Sequence, residues 1–149
     1  MIYKHVKEVN EDELRSVLKD LPQWFGIEDA LEVYIKDSLD NIVFGCYEGD
    51  LIGFVTLKQT SFCTLEVYVM GIKQAYHRLG LGKKLIEMVK EYAMQQGILY
   101  LQVKTLDPAV KDEDYLKTYH FYENMGFMPV EVLPLWDEWN PCMLMIQKL

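Results

Sequence analysis

Between Tyr76 and Leu85 the chain reads YHRLGLGKKL, and two glycines, Gly80 and Gly82, stand where two strong patterns meet. Upstream, residues 63–72 form an apolar run rich in Val, Tyr and Leu, which predicts a strand. Downstream, Leu81, Leu85, Met88, Val89 and Tyr92 recur on one helical face. A chain turning from strand into helix leaves the first N–H groups of the helix, here from Arg78 to Lys83, without intrahelical partners. Such a terminus attracts anions. The helix dipole contributes about 0.3–1 kcal/mol, whereas each hydrogen bond to a charged acceptor contributes roughly 1.5–3 kcal/mol. Several converging amides therefore outweigh the dipole, and they need a backbone clear of side chains. That is one reason for glycine at 80 and 82; an ordinary turn is the other. Two familiar phosphate loops do not fit. A G-x-x-x-x-G-K-[ST] loop needs Gly and Ser/Thr where the chain has His77 and Lys84, and a dinucleotide fingerprint needs glycine where it has Leu85.

The rest of the chain narrows the setting. At 149 residues it is long enough for one domain, 1–149, with a full core. Hydrophobic residues at 50% and charged ones at 26% are the profile of a globular chain. No apolar run is long enough for a membrane span. The opening MIYKHVKEVNEDEL has no secretory pattern, so a cytoplasmic location is expected. The formal charge of −8 argues against a nucleic-acid partner. It does not argue against a small anion, because screening limits distant charges to about 8 Å. Locally, Lys73, Arg78, Lys83, Lys84 and Lys90 surround the glycines with Glu87 as the sole acid, either as a basic island or as a solvated helix face. Cys46, Cys63 and Cys142 are scattered and are expected to be buried apolar residues. His5 and His120 have no partner pattern, so no metal is expected.

Periodicity predicts a mixed, mostly antiparallel sheet with helices on both faces, an α/β (α+β) class. Residues 2–9 read as a short strand. Asn10 with Glu13 makes a capping box ahead of Leu14, Val17 and Leu18. Pro22 and Gly26 break that helix, and Ile27, Leu31, Tyr34 and Ile35 form the stripe of a second. Residues 42–48 and 51–59 make a hairpin through Glu48-Gly49-Asp50. ILYLQVKT, 98–105, reads as a buried central strand. A helix from about Tyr115 to Met125 carries Tyr115, Tyr119 and Tyr122 on one side, and strands near 127–132 and 142–148 end the pattern.

His77-Arg78-Leu79-Gly80-Leu81-Gly82 resembles the pyrophosphate-binding motif Q/R-x-x-G-x-G/A of the GCN5-related N-acetyltransferase (GNAT) superfamily, with His77 at the Gln/Arg position. Phe121-Tyr122-Glu123-Asn124-Met125-Gly126-Phe127 is similar to the family's second signature, F-Y-E-x-x-G-F. Both occur in the family's order, and the element order matches its fold over nearly the whole chain. The resemblance implies acetyl-CoA as co-substrate, bound through His77, Arg78, Leu79, Gly80, Leu81, Gly82 and Lys83. It places pantetheine between two parallel strands, the one ending near Ile72 and 98–105. It also implies a backbone donor to the thioester carbonyl around Met70, Gly71 and Ile72. Gly71 within an apolar strand fits a bulge there, or simply relieves crowding.

The same resemblance implies two catalytic groups. Glu66 matches a general-base glutamate on the strand before the loop; strand alternation leaves open whether it faces a cleft or solvent. Tyr122 matches the tyrosine that serves the departing thiolate as acid or hydrogen-bond donor. Tyr115 stands where many members place an Asn. The acceptor implied is a primary amine of a small molecule or peptide, attacking directly in a ternary complex, and dimers are common among relatives. Glu28, Asp29, Glu32 and Asp112–Asp114 offer a cationic amine an acidic setting, or are a solvated face. Trp24, Phe25, Trp136 and Trp139 line an acceptor or dimer contact, or simply pack. A non-catalytic acyl-CoA sensor is the alternative function.

Overall fold

The computed structural model describes all 149 residues, Met1–Leu149. Strand β1 (Ile2–Val6) leads to helix α1 (Glu11–Lys19). Asn10 caps α1 in extended conformation, its side-chain oxygen accepting the Glu13 N–H at 3.1 Å. Glu11, Asp12 and Glu13 in the first turn complement the dipole. Helix α2 (Glu28–Leu39) is preceded by Ile27, which has no side-chain cap bond and is 73% exposed. Ile27 is thus the residue before the helix and not part of its buried stripe, which Leu31 and Ile35 supply. Strands β2 (Ile42–Glu48), β3 (Asp50–Ser61) and β4 (Thr64–Ile72) follow, then helix α3 (Leu81–Gln95), strand β5 (Tyr100–Leu106), helix α4 (Glu113–Asn124) and strands β6 (Met128–Leu133) and β7 (Cys142–Lys148).

The seven strands form one sheet in the order β1-β2-β3-β4-β5-β7-β6. The β1–β2, β2–β3, β5–β7 and β6–β7 ladders are antiparallel. β4 and β5 run parallel, and their ladder extends from Thr64↔Tyr100 to Val67↔Val103. A parallel neighbour needs a crossover, and the segment containing α3 supplies it. The sheet is mixed and mostly antiparallel, as the periodicity predicts.

The chain forms two compact units, Met1–Lys58 with Tyr68–Tyr92, and Gln59–Val67 with Ala93–Leu149. In the first, Leu14, Val17, Leu18 and Leu21 from the α1 region and Leu31 and Ile35 from α2 pack with Val43, Leu51, Phe54 and Val69 of the sheet. Burying each such side chain contributes about 1.5–3 kcal/mol. Trp24 and Phe25 pack against this cluster and so serve the core. Val43 belongs to it, while the ring of the next residue, Phe44, lies 5.3 Å from that of Tyr92 on α3. Successive strand residues face opposite ways, so α3 covers the face that α1 and α2 do not.

In the second unit β5 lies between the Thr64–Val67 segment of β4 and β7. Asp112 caps α4, accepting the Tyr115 N–H at 3.1 Å. Tyr119, Tyr122 and Phe127 are buried, and Tyr115 is half-buried. Cys46 and Cys142 are buried as expected, but Cys63 is half-buried in the β3–β4 turn. There its Sγ lies 3.5 Å from Ser61 Oγ and 3.6 Å from Thr64 Oγ1, and these contacts lower its thiol pKa. A turn cannot bury what lies on its outer side, which is why the apolar reading fails at this cysteine.

Candidate active site

The glycine loop lies in the first unit. After β4, a single 3₁₀ turn over Gln74–Tyr76 carries the chain to His77. Gln74 ties this turn to the end of α1: its N–H donates to Asp20 Oδ2 at 2.7 Å, and its side-chain amide to the Asp20 carbonyl at 2.5 Å. The backbone then twice enters the left-handed region, at Arg78 (φ +63°) and Gly80 (φ +81°). Glycine adopts that conformation freely, whereas for arginine it is strained. Turns of this kind gather successive N–H groups into a concave nest. The first helical bond runs from the Lys84 N–H to the Gly80 carbonyl at 3.1 Å. The N–H groups of Leu81, Gly82 and Lys83 precede it and donate to no backbone carbonyl. A Cβ on Gly80 would meet nothing within 4 Å, so its conformation, not crowding, calls for glycine.

The flanking residues occupy distinct places. Leu81 is buried and anchors the start of α3, while Arg78, Leu79 and Lys83 are exposed. His77 Nε2 donates to the Ile72 carbonyl at 2.6 Å. Its ring therefore turns back onto the end of β4, 6.3 Å from the Trp24 ring, and braces the loop from behind.

Strand β4 departs from regular alternation just before Met70. Tyr68 reaches α2: its hydroxyl donates to Asp37, and its ring lies 5.3 Å from that of Tyr34. The next residue, Val69, is buried in the same α1–α2 cluster. A Cβ on Gly71 would stand 3.0 Å from Leu21 and 3.3 Å from Leu18, again on that side. Consecutive residues facing one way are what an extra residue in a strand produces, a β-bulge. A side chain at Gly71 would thus crowd the Leu21, Leu18 and Val17 side chains, which glycine leaves undisturbed. Met70 and Ile72, half-buried, flank it.

In the second unit Glu66 is 6% exposed. It faces neither solvent nor an empty space: Lys104 Nζ donates to its two oxygens at 3.2 and 3.4 Å, and Gln102 Nε2 lies 3.4 Å away. Sequence reasoning did not single out these two partners. The signal was present in ILYLQVKT, where Gln102 and Lys104 alternate with Leu101 and Val103 and so share a face. Thr105, on the other side of β5, has a buried hydroxyl without a hydrogen-bond partner. Tyr122 lies on the buried side of α4, its ring 5.7 Å from that of Phe127. Burial, and secondarily Tyr115, push its pKa far above the usual phenol value. Tyr122 therefore stays protonated and can donate a hydrogen bond throughout the physiological range.

Among the acidic residues, Glu32 is committed to Arg15, with bonds of 2.9 and 2.6 Å, and Asp112 to its cap. Trp136 and Trp139 are exposed, 39% and 78%. No group of three or more His, Cys, Asp or Glu is placed to hold a metal ion. No helix is long and apolar enough to cross a membrane.

The profile of the Acetyltransferase (GNAT) family matches residues 6–127, and the chain belongs to this family. Among solved structures, it is similar to an aminoglycoside 6'-N-acetyltransferase complexed with coenzyme A, at 19% identity and TM-score 0.78, over 99% of this chain and 97% of that one. The aminoglycoside 6'-N-acetyltransferase from Enterococcus faecium is similar at 19% identity and TM-score 0.77, with coverage of 99% and 97%. A GNAT family acetyltransferase from Elizabethkingia anophelis with acetyl-CoA bound is similar at 15% identity and TM-score 0.70, also over 99% and 97%. At such identities the likeness establishes the fold. Comparison with curated protein sequences finds no match.

Proposed function

We propose that this protein is an N-acetyltransferase that moves the acetyl group of acetyl-CoA to a primary amine of a small molecule or peptide, by direct attack in a ternary complex. The observation that carries the reading is the set of N–H groups at Leu81, Gly82 and Lys83, unpaired behind the left-handed residues Arg78 and Gly80. A pyrophosphate supplies acceptors for several of them at once, each charge-assisted bond contributing roughly 1.5–3 kcal/mol.

In this reading the amine nitrogen forms a bond to the acetyl carbon, the carbonyl oxygen gathers negative charge, and the carbon–sulfur bond then breaks. An alkyl amine with a pKa of about 10.4 must first lose a proton, and Glu66 is the carboxylate assigned to draw it off. Lys104 competes for that carboxylate, so an acceptor ammonium approaching Glu66 has to share it. The bulged end of β4 offers main-chain N–H to the oxyanion. Tyr122 serves the leaving sulfur. A thiol has a pKa near 8.5, well below that of the buried phenol, so full proton transfer from Tyr122 runs uphill. Its role is to donate a hydrogen bond to the thiolate, which takes its proton from water, while the acylated nitrogen releases its second proton to water as the amide forms.

The test is release of free thiol from acetyl-CoA across polyamines, amino acids, aminoglycosides and peptide N-termini. Turnover on any of them supports the reading. Saturable acetyl-CoA binding with no turnover on all four classes favours the sensor, and absence of acetyl-CoA binding removes both.

A further inference from the structure

Two neighbours on a strand normally point to opposite faces, yet Tyr68 and Val69 both face the α1–α2 side. Something must hold each of them there. Val69 is held by burial, at 5% exposure in the core cluster. Tyr68 is only half-buried, and its hold is polar. Its hydroxyl donates to Asp37 Oδ2 on α2, and Lys58 Nζ on β3 donates to the same oxygen at 3.2 Å. The Lys58 ammonium also lies 3.7 Å from the centroid of the Tyr68 ring, so one cation bridges ring and carboxylate. Asp37 is itself a fixed post. The next residue, Ser38, is fully buried and shares a 2.8 Å hydrogen bond with Thr56 of β3.

We propose that Asp37 and Lys58 are positioning residues, which clamp Tyr68 against α2 and thereby keep the extra residue of β4 at Tyr68–Val69. Release of the clamp lets Tyr68 return to regular alternation. A one-residue slip reverses the facing of everything beyond it, including the N–H groups from Met70 to Ile72 that the proposed function aims at the acyl carbonyl. The inference rests on that proposed function. It adds that aim at the carbonyl is set from α2 and β3, by residues outside the glycine loop and the end of β4.

The test uses the full chain with acetyl-CoA labelled with carbon-13 at the thioester carbonyl. Binding is followed by calorimetry, and the carbonyl stretch by isotope-edited infrared spectroscopy. In the wild type, a donor at the bulge moves the stretch of the bound thioester to lower frequency. Tyr68→Phe keeps the ring and removes the hydroxyl. It is expected to lose about half or more of that shift while the Kd changes by less than about twofold. Lys58→Met is expected to act in the same direction. Asp37→Ala is expected to match Tyr68→Phe, and Asp37→Asn, which retains an oxygen for the hydroxyl, to recover most of the shift. An unchanged shift in Tyr68→Phe overturns the clamp and leaves the acetyltransferase reading standing. A wild type that does not bind acetyl-CoA, or binds it with no carbonyl shift, overturns the proposed function and the clamp together. Tyr68→Phe carries the test if Asp37→Ala fails to fold.

Discussion

Glu66 Oε1 on β4 lies 3.2 Å from Lys104 Nζ on β5, and the carboxylate side chain is 8% exposed against 26% for the lysine. A buried charge that loses its partner keeps its desolvation cost without compensation. Lys104→Met is therefore expected to destabilise the protein by about 3 kcal/mol, the low end for a buried pair because the lysine is partly solvated. Replacing both residues, Glu66→Leu with Lys104→Met, is expected to recover most of that loss. Urea unfolding of both single variants and the double one checks this; a double variant no more stable than Lys104→Met alone contradicts it.

Thr105 carries a buried hydroxyl with no hydrogen-bond partner, on a residue only 3% exposed. Thr105→Val exchanges that hydroxyl for a methyl of similar size, removing an unmet desolvation cost of about 1 kcal/mol or more. A higher urea midpoint with an unchanged slope is the expected result. A lower one shows that the hydroxyl is satisfied in solution.

Arg78 holds φ at +63° on the rim of the glycine loop. Arg78→Gly removes that strain at some cost in unfolded-chain entropy, for a net gain of about 0.5–1 kcal/mol. Arg78→Val, branched at Cβ, is expected to go the other way. The order of the two melting temperatures relative to the wild type decides the matter.

Asp37 has its pKa lowered by the hydrogen bond from Tyr68 first and by Lys58 after it, from an ordinary value of 3.8. A depressed carboxylate contributes stability that is present above the unfolded pKa and is lost as pH falls through the folded one. The wild type is thus expected to lose stability more steeply below about pH 4 than Asp37→Asn does. Urea midpoints between pH 6 and pH 2.5 measure the difference, and parallel curves would rule out the linkage.

Tyr122 is assigned to the departing sulfur, not to ground-state binding of the cofactor. Tyr122→Phe is expected to lower kcat by about a hundredfold, the usual loss for one well-placed donor, with acetyl-CoA affinity within about twofold. Steady-state kinetics with an accepted amine, alongside calorimetric titration, separates the two. Unchanged turnover removes Tyr122 from the chemistry.

Much of the architecture was legible because it is local. Asn10 as a helix cap, Gly80 as a turn glycine ahead of α3, the stripe of Leu81, Leu85 and Val89, and the shared face of Tyr119 and Tyr122 all follow from contacts a few residues apart, where spacing alone dictates which side chains meet. Ile27 and Cys63 were misread for a related reason. Both look apolar in sequence, but each sits where a helix begins or a turn closes, so Ile27 is left exposed and Cys63 only half-buried.

The sequence by itself determined the order of strands and helices and the bare amides after the glycines, because hydrophobic period and backbone chemistry are properties of short segments. Only the tertiary structure decided that Glu66 meets Lys104 across 38 residues, that Tyr68 meets Asp37 across 31, and that Tyr68 and Val69 both come to lie on the α1–α2 side. Those choices depend on strand register and on where α2 comes to rest, and register is settled by the packing of the whole core.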